Sequence, residues 1–173
     1  MSAFRVRLLE AGDIQQITED FAAASINKPL SLYERYLAEQ CRGERVVLVA
    51  YHDDVFGGSL TIEWASDYPP FKESGIPEIV DFNVLPQFRK QGVGTLLMDE
   101  AEQRIKTRSP VVGIGVGLYS NYGPAQRLYV TRGYIPDGRG VSSSGRVVGR
   151  GEPVTMDDNL ALYFTKDLTA KRP

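Results

Sequence analysis

The stretch from Glu78 to Leu97, EIVDFNVLPQFRKQGVGTLL, holds the residue types and spacing best suited to chemistry: an apolar run, a basic loop with two glycines, and a helix start. Such a turn leaves the first backbone N–H groups of the helix without intrahelical partners, at the positive end of its dipole, and so offers a site for phosphate. Gly92 and Gly94 let the backbone approach an anion closely, while Arg89 and Lys90 add positive charge. A pyrophosphate suits the amides of Gln91, Gly92, Val93, Gly94 and Thr95. Two other phosphate loops fail on detail. Leu97 stands where a dinucleotide fingerprint needs its third glycine, and no Gly-Lys-Ser/Thr ending marks a nucleoside triphosphate loop. Gly113, Gly115 and Gly117 lie within an apolar run and mark close approach of backbone or ligand.

Other chemistries lack their residues. One cysteine, Cys41, and one histidine, His52, cannot build a zinc cluster or an internal disulfide, so no metal is expected. His52 sits in Tyr51-His52-Asp53-Asp54, a turn between apolar runs, and reads as a hairpin residue rather than half of a nucleophilic pair. Cys41, near the end of an expected helix, reads as a small buried hydrophobe. A formal net charge of -2 gives no reason to expect nucleic acid as a partner. Residues 1–7 are too short and polar for a signal peptide, and no apolar run approaches the roughly 18 residues that span a bilayer. The expectation is a cytoplasmic protein with no membrane partner.

The elements that must position these residues follow from periodicity and punctuation. A chain of 173 residues, 42% hydrophobic and 24% charged, is sized for one domain over residues 1–173. Phe4 to Leu8 predicts a strand, Asp13 caps a helix carrying Ile14, Ile17 and Phe21, and a second helix runs from Ser31 to Cys41. Val46–Tyr51 and Val55–Trp64 predict an antiparallel pair, residues 65–77 a proline- and glycine-rich loop, and Glu78–Val84 a strand. A helix follows Gly94 with Val93, Leu97, Ala101 and Ile105 on one face, then a strand over Val111–Leu118 and a helix over Pro124–Arg132. Tyr134-Ile135 and Leu160–Thr165 supply the last strands, around a flexible Gly/Ser/Arg-rich stretch from Gly138 to Gly151. Antiparallel strands followed by helical crossovers indicate an α/β fold with a mixed sheet.

Arg89-Lys90-Gln91-Gly92-Val93-Gly94, preceded by Val84-x-Pro86, resembles the acetyl-CoA signature Gln/Arg-x-x-Gly-x-Gly/Ala of the GNAT superfamily. A second segment agrees: Asn121, Ala125, Leu128-Tyr129 and Gly133-Tyr134 resemble the family's Asn…Ala..Leu-Tyr…Gly-Phe/Tyr pattern. Lys90 replaces a glycine common in the family and Gln91 a basic residue, which moves a charge without removing it. The resemblance implies a mixed, mostly antiparallel central sheet, flanked by helices and splayed between its fourth and fifth core strands. It implies acetyl-CoA as cosubstrate, with pantetheine bonded to main chain near Phe82 and Val84 and by Asn121, although Asn121 could equally be a helix cap.

By the same resemblance, Tyr129 is the general acid near the coenzyme sulfur, against the plainer reading of a core aromatic. Two carboxylates compete as the base that deprotonates the acceptor amine. Glu78 stands eleven positions before Arg89, as in histone acetyltransferases of the family, and Asp81 holds the acidic position common before Val-x-Pro. The pleat sends them to opposite faces unless a bulge intervenes, and either could be a solvated strand residue. From Glu63 to Asp81 five acids face Lys72 alone, interleaved with Trp64, Tyr68 and Phe71, a composition suited to an ammonium group. Arg139, Arg146 and Arg150 could instead meet an anionic part of the substrate. The expected partner is a small-molecule amine, with a homodimer left open. Protein or peptide acetylation and a noncatalytic acyl-CoA-binding module are the alternatives.

Overall fold

In the computed structural model, which describes residues 4–170, the chain is an α/β fold. Among the described residues, eight strands form one mixed sheet in the order β1-β2-β3-β4-β5-β8-β6-β7. The strands are β1 (Arg5–Leu8), β2 (Arg45–His52), β3 (Val55–Glu63), β4 (Glu78–Val84), β5 (Val111–Gly117), β6 (Ile135–Ser143), β7 (Arg146–Val147) and β8 (Leu160–Asp167). The helices are α1 (Ile14–Ala23), α2 (Leu30–Cys41), α3 (Pro69–Ser74), α4 (Val93–Lys106) and α5 (Gly123–Thr131). The residues group into two compact units, one of residues 4–64 with Ile79–Arg104, the other of Ala65–Glu78 with residues 105–170.

In the first unit β1 pairs antiparallel with β2, and β2 with β3. Ile14, Ile17 and Phe21 of α1 pack with Tyr33 and Tyr36 of α2 against Val47, Val49 and Phe56, all buried. These are the positions that helical and strand periodicity place on one face. The start of α1 is fastened differently from a simple forward cap. Asp13 reaches back to accept from the Glu10 N–H at 2.8 Å and from the Arg7 guanidinium at 2.6 and 2.7 Å. Beyond β4, the Leu85 N–H donates to the Gly57 carbonyl at 2.9 Å, fixing where β4 ends and the basic loop begins.

In the second unit β5 and β6 each pair antiparallel with β8. The stretch 65–77 is not all loop, because Pro69–Ser74 forms α3. Proline there occupies the first turn, where a missing N–H costs nothing, and left-handed Gly75 ends the helix. Gly138–Gly151 is not simply flexible either. It supplies the end of β6 and all of β7, with Ser142 opposite Val147 and Ser143 opposite Arg146. The glycines of β5 face rings of the same unit: a Cβ on Gly113 would collide with Phe71, and one on Gly117 with Tyr122. Backbone approach is the reason for those glycines.

Candidate functional site

The basic loop joins β4 to α4. A 3-10 turn at Pro86–Phe88 opens it, the Arg89 side chain donates back to the Val84 carbonyl at 3.2 Å, and the Gln91 side-chain amide donates to the Gln87 carbonyl at 2.7 Å. Lys90 and Gly92 both adopt left-handed backbone, with φ of 60° and 86°. Left-handed residues interleaved with ordinary ones turn successive N–H groups toward one concave face. Gly92 has open space where a side chain would be, while Gly94 lies under strand residues: a Cβ there would stand 3.0 Å from the Phe82 ring and 3.6 Å from the Val84 methyl. Val93 is buried and anchors the helix start, whereas Arg89, Lys90, Gln91, Gly92 and Thr95 are exposed. No acid occupies the first turn of α4. Exposed amides, a helix dipole and two cations without a local carboxylate suit a bound phosphate group.

The two carboxylates of β4 have different surroundings. Asp81 adopts a left-handed φ of 50°, which interrupts the pleat that would otherwise set its face relative to Glu78. Its carboxylate pairs with the Lys28 ammonium, accepts from the Asn83 amide at 2.9 Å and from the Tyr36 hydroxyl at 3.2 Å. Burial, and after it the Asp81 carboxylate, pushes the Tyr36 phenol upward, so it remains a donor. Glu78 is 6% exposed and accepts a hydrogen bond from the Ser66 hydroxyl, which itself accepts from the Tyr68 N–H at 2.9 Å.

Tyr129, on α5, is 5% exposed and lies beside Tyr134 with ring centroids 5.9 Å apart. Burial alone raises its pKa above that of an ordinary phenol. Among the described residues no buried side-chain nitrogen or oxygen lacks a hydrogen-bond partner. The arrangement is an enclosed phenol that stays protonated at neutral pH. Asn121 is exposed in a 3-10 turn and is not the cap of α5, a position held by Tyr122.

Much of the acidic, aromatic segment is occupied. Glu63 pairs with the buried Arg45, which also holds Glu39 at 2.6 Å and Thr61 at 2.7 Å and lies 4.3 Å from the Tyr36 ring centroid. Tyr68 and Phe71 are both 2% exposed, and Tyr68 stacks on Tyr163 at 3.6 Å, with its hydroxyl on Asp137 at 2.9 Å. They are core rings and cannot receive an ammonium from solvent. Arg146 pairs with Glu152. A second aromatic and acidic cluster joins Tyr119, Tyr122 and Asp158, and no local pattern announces it, because the aspartate lies 36 residues beyond Tyr122. Among the described residues no group of three or more His, Cys, Asp or Glu could hold a metal ion, and no helix is long and apolar enough to cross a membrane.

No curated protein sequence matches the chain. Solved structures share its fold: an N-acetyltransferase from Staphylococcus aureus Mu50 matches with TM-score 0.71 at 16% identity, covering 97% of this chain and 100% of that one. The ribosomal-protein-S18-alanine N-acetyltransferase of Escherichia coli matches with TM-score 0.68 at 11% identity, covering 98% and 97%. The PaiA N-acetyltransferase of Thermoplasma acidophilum, in complex with coenzyme A, matches with TM-score 0.64 at 12% identity, covering 95% and 99%. At these identities the likeness is one of fold. The model of the acetyltransferase (GNAT) family matches residues 14–134, a stretch that includes β4, the basic loop, α4 and α5. The chain belongs to the GNAT family of acetyltransferases.

Proposed function

We propose that the protein transfers the acetyl group of acetyl-CoA to a primary amine of a small molecule. The observation that carries this reading is the loop from Arg89 to Thr95, where left-handed Lys90 and Gly92 lead into an acid-free helix start. That loop receives the pyrophosphate on the amides of Gln91, Gly92, Val93, Gly94 and Thr95, with Arg89 and Lys90 adding charge. Main-chain groups of Phe82 and Val84 bond to pantetheine, and Asn121 adds an exposed side-chain amide. Gly94, packed under Phe82 and Val84, couples the position of the helix start to that of the strand.

Transfer requires a neutral amine, whereas an alkylamine with pKa about 10.4 arrives protonated at pH 7. Glu78 takes that proton, directly or through one water, and the nitrogen lone pair attacks the thioester carbonyl. As the intermediate collapses, the C–S bond breaks and the Tyr129 hydroxyl donates its proton to the departing thiolate. Raised by burial, that phenol stays protonated and ready to donate. Asp81, held by Lys28, Asn83 and Tyr36, fixes the irregular turn of β4 rather than accepting the proton. Ser66 orients the Glu78 carboxylate.

Release of coenzyme A thiol, measured across amines, amino acids, peptides and aminoglycosides, tests the reading, with calorimetry of coenzyme A binding beside it. Thiol release with small amines is the expected result. Release only with peptides moves the acceptor to proteins, and coenzyme binding with no release across the set makes the chain an acyl-CoA-binding module.

A further inference from the structure

Ser66 is fully buried and stands 12 residues before Glu78, in a stretch where no motif marks it. Its oxygen accepts from the Tyr68 N–H at 2.9 Å, two residues on. That bond is the one of a local serine turn, and it needs only a lone pair. The turn leaves the hydroxyl proton to spare, and the proton goes to the Glu78 carboxylate. An ionised carboxylate only accepts, so with an N–H on one side of the oxygen and a carboxylate on the other the O–H has a fixed direction. Shaping the turn does not require the second bond.

Both ends of the contact are held. The Tyr68 ring stacks on Tyr163 of β8 with centroids 3.6 Å apart, and its hydroxyl donates to Asp137 of β6 at 2.9 Å. Its carbonyl accepts from the Phe71 and Lys72 N–H groups, each at 3.0 Å, which starts α3. On the other side the Gly113 N–H of β5 donates at 2.9 Å to the carbonyl of Pro77, one residue before Glu78. A hydroxyl fixed at its oxygen thus meets a carboxylate whose backbone is fixed, and the Glu78 oxygens keep little freedom. The precision matters, because a misplacement of about 1 Å costs a reaction on the order of a hundredfold. A donated hydrogen bond also favours the charged form of a carboxylate, the form that can take a proton.

Resting on the acetyltransferase reading with Glu78 as its base, we propose that the start of α3 belongs to the proton-transfer apparatus. Tyr68, clamped by Tyr163 and Asp137, fixes the Ser66 hydroxyl through its N–H, and Ser66 keeps the Glu78 carboxylate charged and in place. Ser66 is a positioning residue, acting on turnover through Glu78 rather than on the binding of coenzyme or acceptor.

The experiment follows coenzyme A thiol release from pH 7 to about 9.5, toward the pKa of the amine, with whichever acceptor of the thiol-release screen wild type acetylates fastest. Wild type is compared with Ser66→Ala, Ser66→Cys, Glu78→Gln and the double variant Ser66→Ala/Glu78→Gln. Ser66→Ala lowers kcat roughly tenfold to a hundredfold at pH 7 with KM changed by less than about threefold, and the loss shrinks with rising pH in step with that of Glu78→Gln. The double variant falls no further than Glu78→Gln alone, because groups that act as one unit are not additive. Wild-type turnover in Ser66→Ala, a loss equal at every pH, or losses that add in the double variant reduce Ser66 to a turn residue and leave acetyl transfer standing. If the alanine variant does not fold, Ser66→Cys, whose thiol is a weak donor, carries the same comparison, and wild-type turnover in it overturns the role. Wild-type turnover in Glu78→Gln removes the base and the role of Ser66 with it, and no release with any acceptor removes the acetyltransferase reading as well.

Discussion

The Tyr129 hydroxyl and the two carboxylates of β4 differ in what surrounds them, and the difference sets what each substitution does. Tyr129→Phe removes the hydroxyl proposed as proton donor and keeps the ring against Tyr134, so kcat is expected to fall roughly ten- to a thousandfold with coenzyme affinity little changed. Because burial raises this phenol above the ordinary value of about 10, wild-type kcat shows no alkaline fall from it through about pH 9. A falling limb near pH 8 that disappears in Tyr129→Phe counts against the assignment. Glu78→Gln lowers kcat/KM most at neutral pH and progressively less as pH approaches the pKa of the amine, since a base matters only while the acceptor arrives protonated. Asp81→Asn, which disturbs the contacts to Lys28, Asn83 and Tyr36, shows a loss nearly independent of pH. Reversal of the two pH profiles reassigns the base to Asp81. The types of these residues were legible in the chain but their partners were not. Nothing local to Asp81 names Lys28, 53 positions earlier, and nothing local to Tyr119 names Asp158, 39 positions later.

Elements were legible where periodicity was long. Val93, Leu97, Ala101 and Ile105 predicted α4 and are all buried, and β4 begins at Glu78 and ends at Val84 as its alternation and Pro86 implied. The misses share a cause. In Pro69–Ser74 the prolines read as loop although Pro is compatible with a first helical turn, and in Ile135–Val147 glycines hid a hairpin stabilised by pairing with β8. Two elements carry predictions. Gly94→Asp places a carboxylate beside the loop proposed to hold the pyrophosphate and Gly94→Ala adds only a methyl 3.0 Å from Phe82, so coenzyme A affinity is expected to fall much further in the first than in the second. Equal losses in calorimetry assign the effect to packing instead. At the start of α1, burial acts to raise the Asp13 pKa, but the bonds from Arg7, the Glu10 N–H and Tyr51 outweigh it and leave the carboxylate below its ordinary value. A depressed carboxylate stabilises the fold above its unfolded pKa and loses that contribution as pH falls through the folded value. Asp13→Asn therefore lowers stability by about 1–3 kcal/mol at pH 7 in denaturant titrations, with the gap to wild type closing below about pH 4.

At the scale of the whole molecule, the α/β class with its mixed sheet was legible through the two motifs that resemble the GNAT family, because those motifs fix a strand, a loop and a helix in sequence, whereas the place of β8 between β5 and β6 was not. The acceptor was not, because Glu63, Asp81, Glu78 and Tyr68, which composition offered to it, are held by Arg45, Lys28, Ser66 and Tyr163. Coenzyme binding is the property that joins fold to function, and it is measurable without knowing the acceptor. A ligand that binds only the folded chain stabilises it by RT ln(1 + [L]/Kd), about 2.7 kcal/mol at a hundred times Kd. For a chain of 173 residues, in the range where 1 kcal/mol moves Tm by about 2–4 °C, coenzyme A at that excess raises Tm by about 5–10 °C. Pantetheine, which lacks the nucleotide and pyrophosphate, raises it far less at the same concentration, because the loop from Arg89 to Thr95 then has no anion to hold. Gly94→Asp loses most of the coenzyme A shift and keeps the small pantetheine shift. Pantetheine as effective as coenzyme A, or an undiminished coenzyme A shift in Gly94→Asp, places the pyrophosphate elsewhere and removes the basic loop from the site.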